Sequence, residues 1–264
     1  MEKIELKPAS VFHYFAEICK VPRPSKKEEM IIAYLMNFAE EQGLEAKKDE
    51  AGNILIKKPA TPGLENLKTV ILQSHIDMVC EKNSDSNHDF LNDPIETYID
   101  GEWLKAKGTT LGADNGIGMA TQLAILAAND IQHGPLECLF TVDEETGLTG
   151  AFALKEGFMD GHILINLDSE DEGELFIGCA GGANTTAEFA YTEIDAPQDY
   201  FFFKVAIKGL TGGHSGDDIN KGRANAVQLL ARFLFGIRDL DWQLVMIDGG
   251  NKRNAIAREA KAVI

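Results

Sequence analysis

The sequence has 264 residues, of which 44% are hydrophobic and 25% are charged, which is the composition of a soluble globular protein with one large domain or two ordinary ones. Its formal net charge of −17 at pH 7 disfavours binding to nucleic acid and to anionic membranes. No apolar segment reaches the roughly 20 residues that span a bilayer, and the first residues lack the apolar core of a secretory signal.

The four cysteines are scattered singly along the chain, without the CxxC spacing of a metal or redox motif. Cysteines distributed in this way are typical of reduced, mostly buried thiols in a cytosolic protein. We therefore expect a cytoplasmic location.

The first two thirds of the chain alternate predicted helices with predicted strands. A helix over 10–20 ends at the prolines of VPRPS, and Ser25 with Glu28 has the spacing of a capping box for a second helix that ends at Gly43. The remaining apolar patterns predict strands at 52–58, 69–76, 136–142 and 161–168 and a helix at 116–129. This alternation predicts an α/β sheet covered by helices on both faces.

After about residue 185 the pattern changes to predicted strands at 185–194, 200–209 and 242–250, with one amphipathic helix at 222–237. This order predicts a second, smaller α+β domain. We place the first domain at 1–185 and the second at 186–264. The last residues resemble the opening of a further strand, which would leave a sheet edge uncovered. We therefore expect both domains to be incomplete and the sequence to be part of a longer one.

His75 and Asp77 follow a predicted buried strand and, two positions apart, point to the same side of it. One interpretation is a structural hydrogen bond between a histidine and a neighbouring acid. The other is a metal-binding histidine whose far nitrogen is oriented by a carboxylate. From this segment alone, we favour the structural hydrogen bond.

Three further acidic segments lie at or just beyond predicted elements: GADNG (112–116), DEETG (143–147) and NLDSEDEGE (166–174). Taken singly, Asp114 and Asp168 could be helix caps, and Glu144 with Glu145 could form a solvated turn. In open α/β sheets, however, sites form at the carboxyl ends of the strands. Together the four segments supply what a dinuclear hydrolytic site needs: an imidazole, a bridging carboxylate, terminal carboxylates and a base.

These motifs make the sequence recognisable. HIDMV, GTTLGADNGIG, DEETGLTGA and NLDSEDEGE, in this order, resemble the M20 family of co-catalytic metallopeptidases. VPRPSKKE and the segment before GADNG resemble its aminoacyl-histidine (Xaa-His) dipeptidase subgroup. The resemblance covers essentially the whole chain and implies a catalytic domain with a mixed sheet flanked by helices, followed by a smaller α+β lid domain.

The resemblance implies a site for two divalent ions, with zinc foremost and manganese or cobalt as alternatives. His75, oriented by Asp77, would bind the first ion together with Asp168. Asp114 would bridge both ions, and Glu145 would bind the second.

The resemblance also implies roles in catalysis and substrate binding. Glu144 would be the general base, and His214, in the predicted lid, would help to polarise the scissile carbonyl. Asn254 and Arg258 resemble, more loosely, the lid residues that hold the substrate carboxylate. The implied reaction is hydrolysis of unblocked dipeptides, and the implied assembly is a homodimer formed through the lid.

One departure from the family concerns the second ion, which in relatives takes a final histidine from the chain after the lid. The six histidines here are His13, His75, His88, His133, His162 and His214, and none follows the lid. We therefore expect at most one tightly bound ion and negligible activity from the 264-residue chain itself. The alternatives are a non-catalytic metal- or peptide-binding remnant and an M20-type deacylase.

Overall fold

The fold was analysed in a computed structural model, which describes residues 6–83, 85–169, 171–179, 181, 183, 185–196, 199–216 and 218–264. The chain divides into a first unit, residues 1–181, and a second unit, residues 182–264. The roles predicted for the two parts of the chain, catalytic domain and lid, stay predictions. Among the described residues, no helix has both the length and the apolar character needed to cross a membrane.

The first unit contains four helices and seven strands among its described residues. In chain order these are α1 (Ala9–Ile18), α2 (Glu29–Glu41), β1 (Glu45–Lys48), β2 (Ile54–Lys58), β3 (Val70–His75), β4 (Thr97–Asp100), β5 (Trp103–Ala106), α3 (Ala113–Ala127), β6 (Leu136–Thr141), α4 (Thr149–Ala153) and β7 (Ile163–Asn166).

Five of these strands form one sheet, in the order β1-β2-β6-β3-β7. β3 runs parallel to β6 and β7, whereas β2 runs antiparallel to β1 and β6. The predicted α/β fold with a mixed sheet is therefore confirmed. Because β3, β6 and β7 are parallel, their carboxyl ends meet at one edge of the sheet, where His75 lies opposite Thr141 and Gln73 lies opposite Asn166.

The main core of this unit lies between the sheet and the helices α1, α2 and α3, and its largest buried members include Phe15, Leu35, Met119 and Phe140. The apolar runs of β2, β3 and β6 are buried because they lie inside the sheet, as their near-continuous hydrophobicity predicts. Gln122 of α3 donates hydrogen bonds to main-chain oxygens of β3 and β6, which fixes the helix across the two central strands.

The second unit is an α+β arrangement, as predicted. Its described elements are β8 (Lys204–Ile207), β9 (Gly213–His214), a short 3-10 helix (Ile219–Lys221), α5 (Ala226–Gly236), β10 (Met246–Gly249), β11 (Ala255–Ile256) and β12 (Ala260–Val263). β12 lies between β10 and β8 in an antiparallel sheet, and α5 packs against it through Leu230 and Leu234. β9 and β11 form a separate two-stranded pair.

Two predictions of local structure are wrong. Residues 185–194 form no strand, because their alternating pattern finds no partner strand among the described residues, and Phe189 and Tyr191 are exposed. Ser25 and Glu28 do not form a capping box on α2. Their side chains bind more distant parts of the chain, as described below.

Candidate functional site

His75 is the last residue of β3, and its side chain is 1% exposed at the edge where the parallel strands end. Nδ1 lies 3.3 Å from Oδ1 of Asp77. Nε2, on the other side of the ring, lies 3.0 Å from Oδ1 of Asp114 and 3.6 Å from Oδ1 of Asp168. Three of the acidic residues singled out by the sequence therefore surround one imidazole.

Asp114 and Asp168 reach His75 from different elements. Asp114 lies at the start of α3, where its own backbone and that of Asn115 are not helical. The residue at the N-cap is Gly112, and no described side chain caps the helix, so the interpretation of Asp114 as a cap is wrong. Asp168 follows the end of β7, and its N–H donates to Oδ1 of Asn166 at 3.1 Å. Ligand atoms of His75, Asp114 and Asp168 lie within 4.8 Å of one another, as a single ion requires.

Glu144 and Glu145 follow β6 and form a second such group with His75, also within 4.8 Å. Their main chain is held by the carboxylate of Asp77, which accepts the N–H of Glu144 at 3.0 Å and that of Glu145 at 3.2 Å. The fully buried carboxylate of Asp77 therefore contacts both the imidazole of His75 and the main chain of the two glutamates.

The segment before α2 holds Asp77 in place through hydrogen bonds. Ser25 donates its hydroxyl hydrogen to Oδ2 of Asp77 at 2.7 Å. The buried guanidinium of Arg23 donates to the main-chain oxygens of Ile76, Asp77 and Gly112. A Cβ at position 112 would lie 2.5 Å from Nη2 of Arg23, so glycine is needed for this close approach.

Asp143 stabilises the turn that contains Glu144 and Glu145. Its carboxylate accepts the hydroxyl groups of Thr146 and Thr149, and its N–H donates to Glu28 at 3.1 Å. Carboxylate oxygens of Glu28, Asp77 and Asp143 also lie within 4.8 Å of one another. Each of these carboxylates accepts hydrogen bonds from the surrounding protein, so this third group serves to hold the turn.

The charges around His75 shift its pKa and that of Asp77 in opposite directions. Burial opposes protonation of His75, but hydrogen bonds to Asp114 and Asp77 and the charge of Asp168 outweigh it and raise the pKa to about 10. Burial also opposes ionisation of Asp77, but hydrogen bonds from His75, from the Glu144 N–H and from Ser25 outweigh it and lower the pKa to about 2.

Glu145 and Asp168 are harder to ionise than ordinary carboxylic acids. Burial raises the pKa of Glu145 to about 7, and the charge of Asp114 adds to the rise. Burial raises the pKa of Asp168 to about 6, again with a contribution from Asp114. Five carboxylates thus lie around one imidazole with too little positive charge to balance them: Asp77, Asp114, Glu144, Glu145 and Asp168. One imidazole nitrogen and several carboxylate oxygens are a donor set that suits zinc, manganese or cobalt, so the residues present fit a divalent ion.

The sequence matches two protein-family profiles. Residues 71–228 match peptidase family M20/M25/M40, and residues 205–264 match the peptidase dimerisation domain. The chain belongs to the M20 peptidase family. The resemblance found in the motifs is therefore confirmed.

Two similar proteins are about 50% identical to this M20 chain over the part that aligns with it. It is 52% identical over all 264 residues to the cytosol non-specific dipeptidase of Escherichia coli, of which it covers 54%. It is 51% identical to the crystal structure of an aminoacylhistidine dipeptidase from Vibrio alginolyticus, with a TM-score of 0.68 over 98% of this chain and 53% of that one. An aminopeptidase PepT from Bacillus cereus shares the fold at 21% identity, with a TM-score of 0.55 over 96% of this chain and 65% of that one. The chain spans about half the length of the curated relatives that it matches.

In the second unit, the three residues predicted to contact substrate, His214, Asn254 and Arg258, lie near one another. His214, in β9, pairs with Ala255 of β11, and the N–H of Ser215 donates to the main-chain oxygen of Asn254 at 2.9 Å. Nδ1 of His214 accepts the N–H of Gly216 at 3.1 Å. Arg258 lies two residues beyond β11, and its Nε donates to the main-chain oxygen of Leu210 at 3.0 Å.

Arg258 also lines a cavity of about 650 Å³ in the second unit. The other basic residues that line it are Lys204, Lys208, Lys252 and Lys261, against the acidic Asp248 and Glu259. In a chain with a net charge of −17, a cavity with more basic than acidic residues is a place where an anion would be favoured.

Motif reading missed the side chains that hold the site together: Arg23, Ser25, Glu28, Asn115, Asp143, Thr146 and Thr149. Each acts through hydrogen bonds on its own turn or on segments far away in the sequence. VPRPSKKE was interpreted as a helix stop, as a capping box and as a family resemblance, and its spacing carries no signal for a contact with Asp77.

Proposed function

We propose that this chain carries the metal-binding and proton-transfer residues of a dipeptidase that hydrolyses the peptide bond of unblocked dipeptides, of the Xaa-His type or broader. The observation that supports it most is the pair of ligand groups that share His75, one with Asp114 and Asp168 and the other with Glu144 and Glu145. The names of the Escherichia coli and Vibrio alginolyticus relatives favour a dipeptide over an N-acyl amino acid as the substrate.

In this proposal His75, Asp114 and Asp168 would hold one divalent ion, and Asp114 and Glu145 would hold a second. Bound divalent ions would acidify a water molecule and stabilise negative charge on the carbonyl oxygen of the substrate. Zinc is the first choice because imidazole and carboxylate suit it well, with manganese or cobalt as alternatives.

Glu144 would be the general base. It is half-buried, and burial raises the pKa of its carboxyl group, which brings it closer to the range in which a base both accepts and returns a proton. Its N–H donates to the carboxylate of Asp77, so the backbone from which the Glu144 side chain extends is held in place. Glu144 would take a proton from the attacking water and pass it to the leaving amine.

The second unit would bind the ends of the substrate. We propose that His214 polarises the scissile carbonyl and that Asn254 and Arg258 hold the carboxylate of the dipeptide. The excess of basic residues around the cavity beside Arg258 supports an anionic group there. The match to a peptidase dimerisation domain supports a homodimer formed through this unit. The name of the Escherichia coli relative places that protein in the cytosol, and we propose the same compartment here.

Metal titration of the 264-residue polypeptide tests the metal centre. Nδ1 of His75 faces Asp77, which leaves Nε2 to bind an ion, and one nitrogen cannot bind two ions. We expect one tightly bound zinc ion per chain, lost in His75→Ala. Calorimetry that finds two tight ions would show that another group supplies a ligand, and no bound ion would contradict the proposed centre.

The reaction is tested in a chimera that continues this chain with the part of the Escherichia coli relative that it does not cover. We expect zinc- or manganese-dependent hydrolysis of Xaa-His dipeptides and little hydrolysis of N-acyl amino acids, whereas the 264-residue polypeptide alone should have negligible activity. A chimera that folds and binds metal but hydrolyses N-acyl amino acids in preference would contradict the dipeptidase assignment.

A further inference from the structure

Asn115 follows the predicted bridging residue Asp114, and its side chain contacts another predicted ligand. The residue is 1% exposed, and its Nδ2 donates a hydrogen bond to Oδ1 of Asp168 at 2.7 Å. The same oxygen of Asp168 lies 3.6 Å from Nε2 of His75. Asn115 therefore contacts the carboxylate oxygen that faces the imidazole.

The orientation of the Asn115 amide follows from chemistry. An ionised carboxylate accepts hydrogen bonds and donates none, so the NH₂ group must face Asp168 and the amide oxygen must point away. That oxygen is buried and has no hydrogen-bond partner among the described residues. A buried acceptor without a partner opposes folding. The fold therefore gains nothing from the amide oxygen, and the contact with Asp168 is what the side chain provides.

Gly118 makes room for this arrangement. A Cβ at position 118 would overlap Oδ1 of Asn115 and would lie 3.2 Å from Cβ of Leu167, the residue before Asp168. A glycine inside a helix costs conformational entropy that alanine avoids. Its presence here is explained by the close packing of Asn115 and of the segment that carries Asp168.

We infer that Asn115 is a positioning residue that holds the carboxylate of Asp168 toward His75 for metal binding, with Gly118 providing the space that it needs. The inference rests on the metal centre of the proposed function. Two adjacent residues at the start of α3 then have separate tasks. Asp114 is itself a metal ligand, whereas Asn115 orients the carboxylate of Asp168, the ligand that follows β7.

Asn115→Leu in the 264-residue chain tests this role, because leucine is close to asparagine in shape but cannot donate to Asp168. We expect zinc affinity, measured by calorimetry, to fall by roughly 10- to 100-fold, as is usual when a residue that orients a metal ligand is lost. The visible spectrum of the cobalt-loaded chain should change as well. The melting temperature of the metal-free chain should stay the same or rise, because the substitution also removes the unpartnered oxygen.

Gly118→Ala is a second variant that displaces the amide without changing any polar group, and it too should weaken zinc binding. Gly236→Ala is its matched control, since Gly236 is the last residue of a helix and a Cβ there meets nothing within 4 Å. Wild-type zinc affinity and an unchanged cobalt spectrum in both Asn115→Leu and Gly118→Ala would overturn this inference but not the proposed metal centre. Lower melting temperatures at wild-type zinc affinity would overturn it in favour of a structural role. A wild-type chain that binds no metal would overturn the proposed metal centre, and this inference with it.

Discussion

His75 and His214 each lie at the end of a strand and near an aspartate, but their surroundings differ. His75 is buried, and the carboxylates around it come from the end of its own strand, the start of α3 and the end of β7. His214 is exposed: Gly216 donates to its ring, its own N–H donates to Asp218 at 2.8 Å, and its backbone pairs with Ala255 of β11. The imidazole of His75 is therefore buried among carboxylates from three parts of its unit, whereas the imidazole of His214 is exposed.

This difference matches the tasks proposed for the two residues. A metal ligand must be in place before the ion arrives, because ligand atoms that move cost affinity, and long-range hydrogen bonds fix them. A residue that contacts a substrate benefits from a loop that can adjust as the substrate binds. The predictions below test whether the two environments carry these separate tasks.

The largest effect is expected from Glu144→Gln in the active chimera. Glutamine keeps the size of the side chain and the N–H that Asp77 accepts but cannot take a proton. Turnover should fall by roughly 10²- to 10⁴-fold, while metal content stays at the level of the unchanged chimera. Steady-state kinetics and elemental analysis measure the two quantities. Turnover within a few-fold of the unchanged chimera would remove Glu144 from the role of base.

His214→Ala should lower turnover of the same chimera by roughly 10²-fold, the lower end of what the loss of a group that stabilises a developing oxyanion costs. Metal content should not change, because His214 is proposed to contact substrate and not metal. His13→Ala is the matched control, since His13 is an exposed histidine of α1 with no proposed role. Loss of metal in His214→Ala would make this residue a ligand and would contradict the comparison between the two histidines.

The sequence predicts the two regions unequally well. β3 and β6 are found with errors of one residue because a strand inside a sheet is apolar along its whole length. Residues 185–194 are also predicted as a strand but form none, since pairing depends on a partner that the pattern cannot specify. The exposed hairpin of β4 and β5 was not predicted, because its short strands carry little apolar signal.

For the candidate site, residue types and strand ends were enough to group His75 with Asp114, Asp168 and the two glutamates. The side chains that hold them were not predictable from spacing. Ser25 bonds to Asp77 across 52 positions, and Asn115 bonds to Asp168 across 53. Such single hydrogen bonds leave no periodic trace, and local rules assigned Ser25 to a helix cap that does not form.

The smallest effect, and the most direct comparison of the two environments, is expected from Ser25→Ala and Lys221→Ala. Each removes one hydrogen bond to an aspartate near a histidine: Ser25 donates to Asp77 at 2.7 Å, and Lys221 donates to Asp218 at 2.8 Å. Asp77 is fully buried, whereas the side chains of Lys221 and Asp218 are 57% and 15% exposed.

Hydrogen exchange measured by mass spectrometry separates the two cases in the metal-free 264-residue chain. Loss of the Ser25 bond should weaken the hold of Asp77 on the Glu144 and Glu145 amides by about 1 kcal/mol, which corresponds to a roughly fivefold faster exchange of the peptide that carries them. Lys221→Ala should change the exchange of the peptide that carries His214 by less than about twofold, because exposed ion pairs contribute little and Asp218 keeps its bonds from His214 and Arg223. Equal changes at both sites would mean that burial of the Asp77 network adds no rigidity to the glutamate turn, and the contrast between the buried and the exposed histidine environment would then fail.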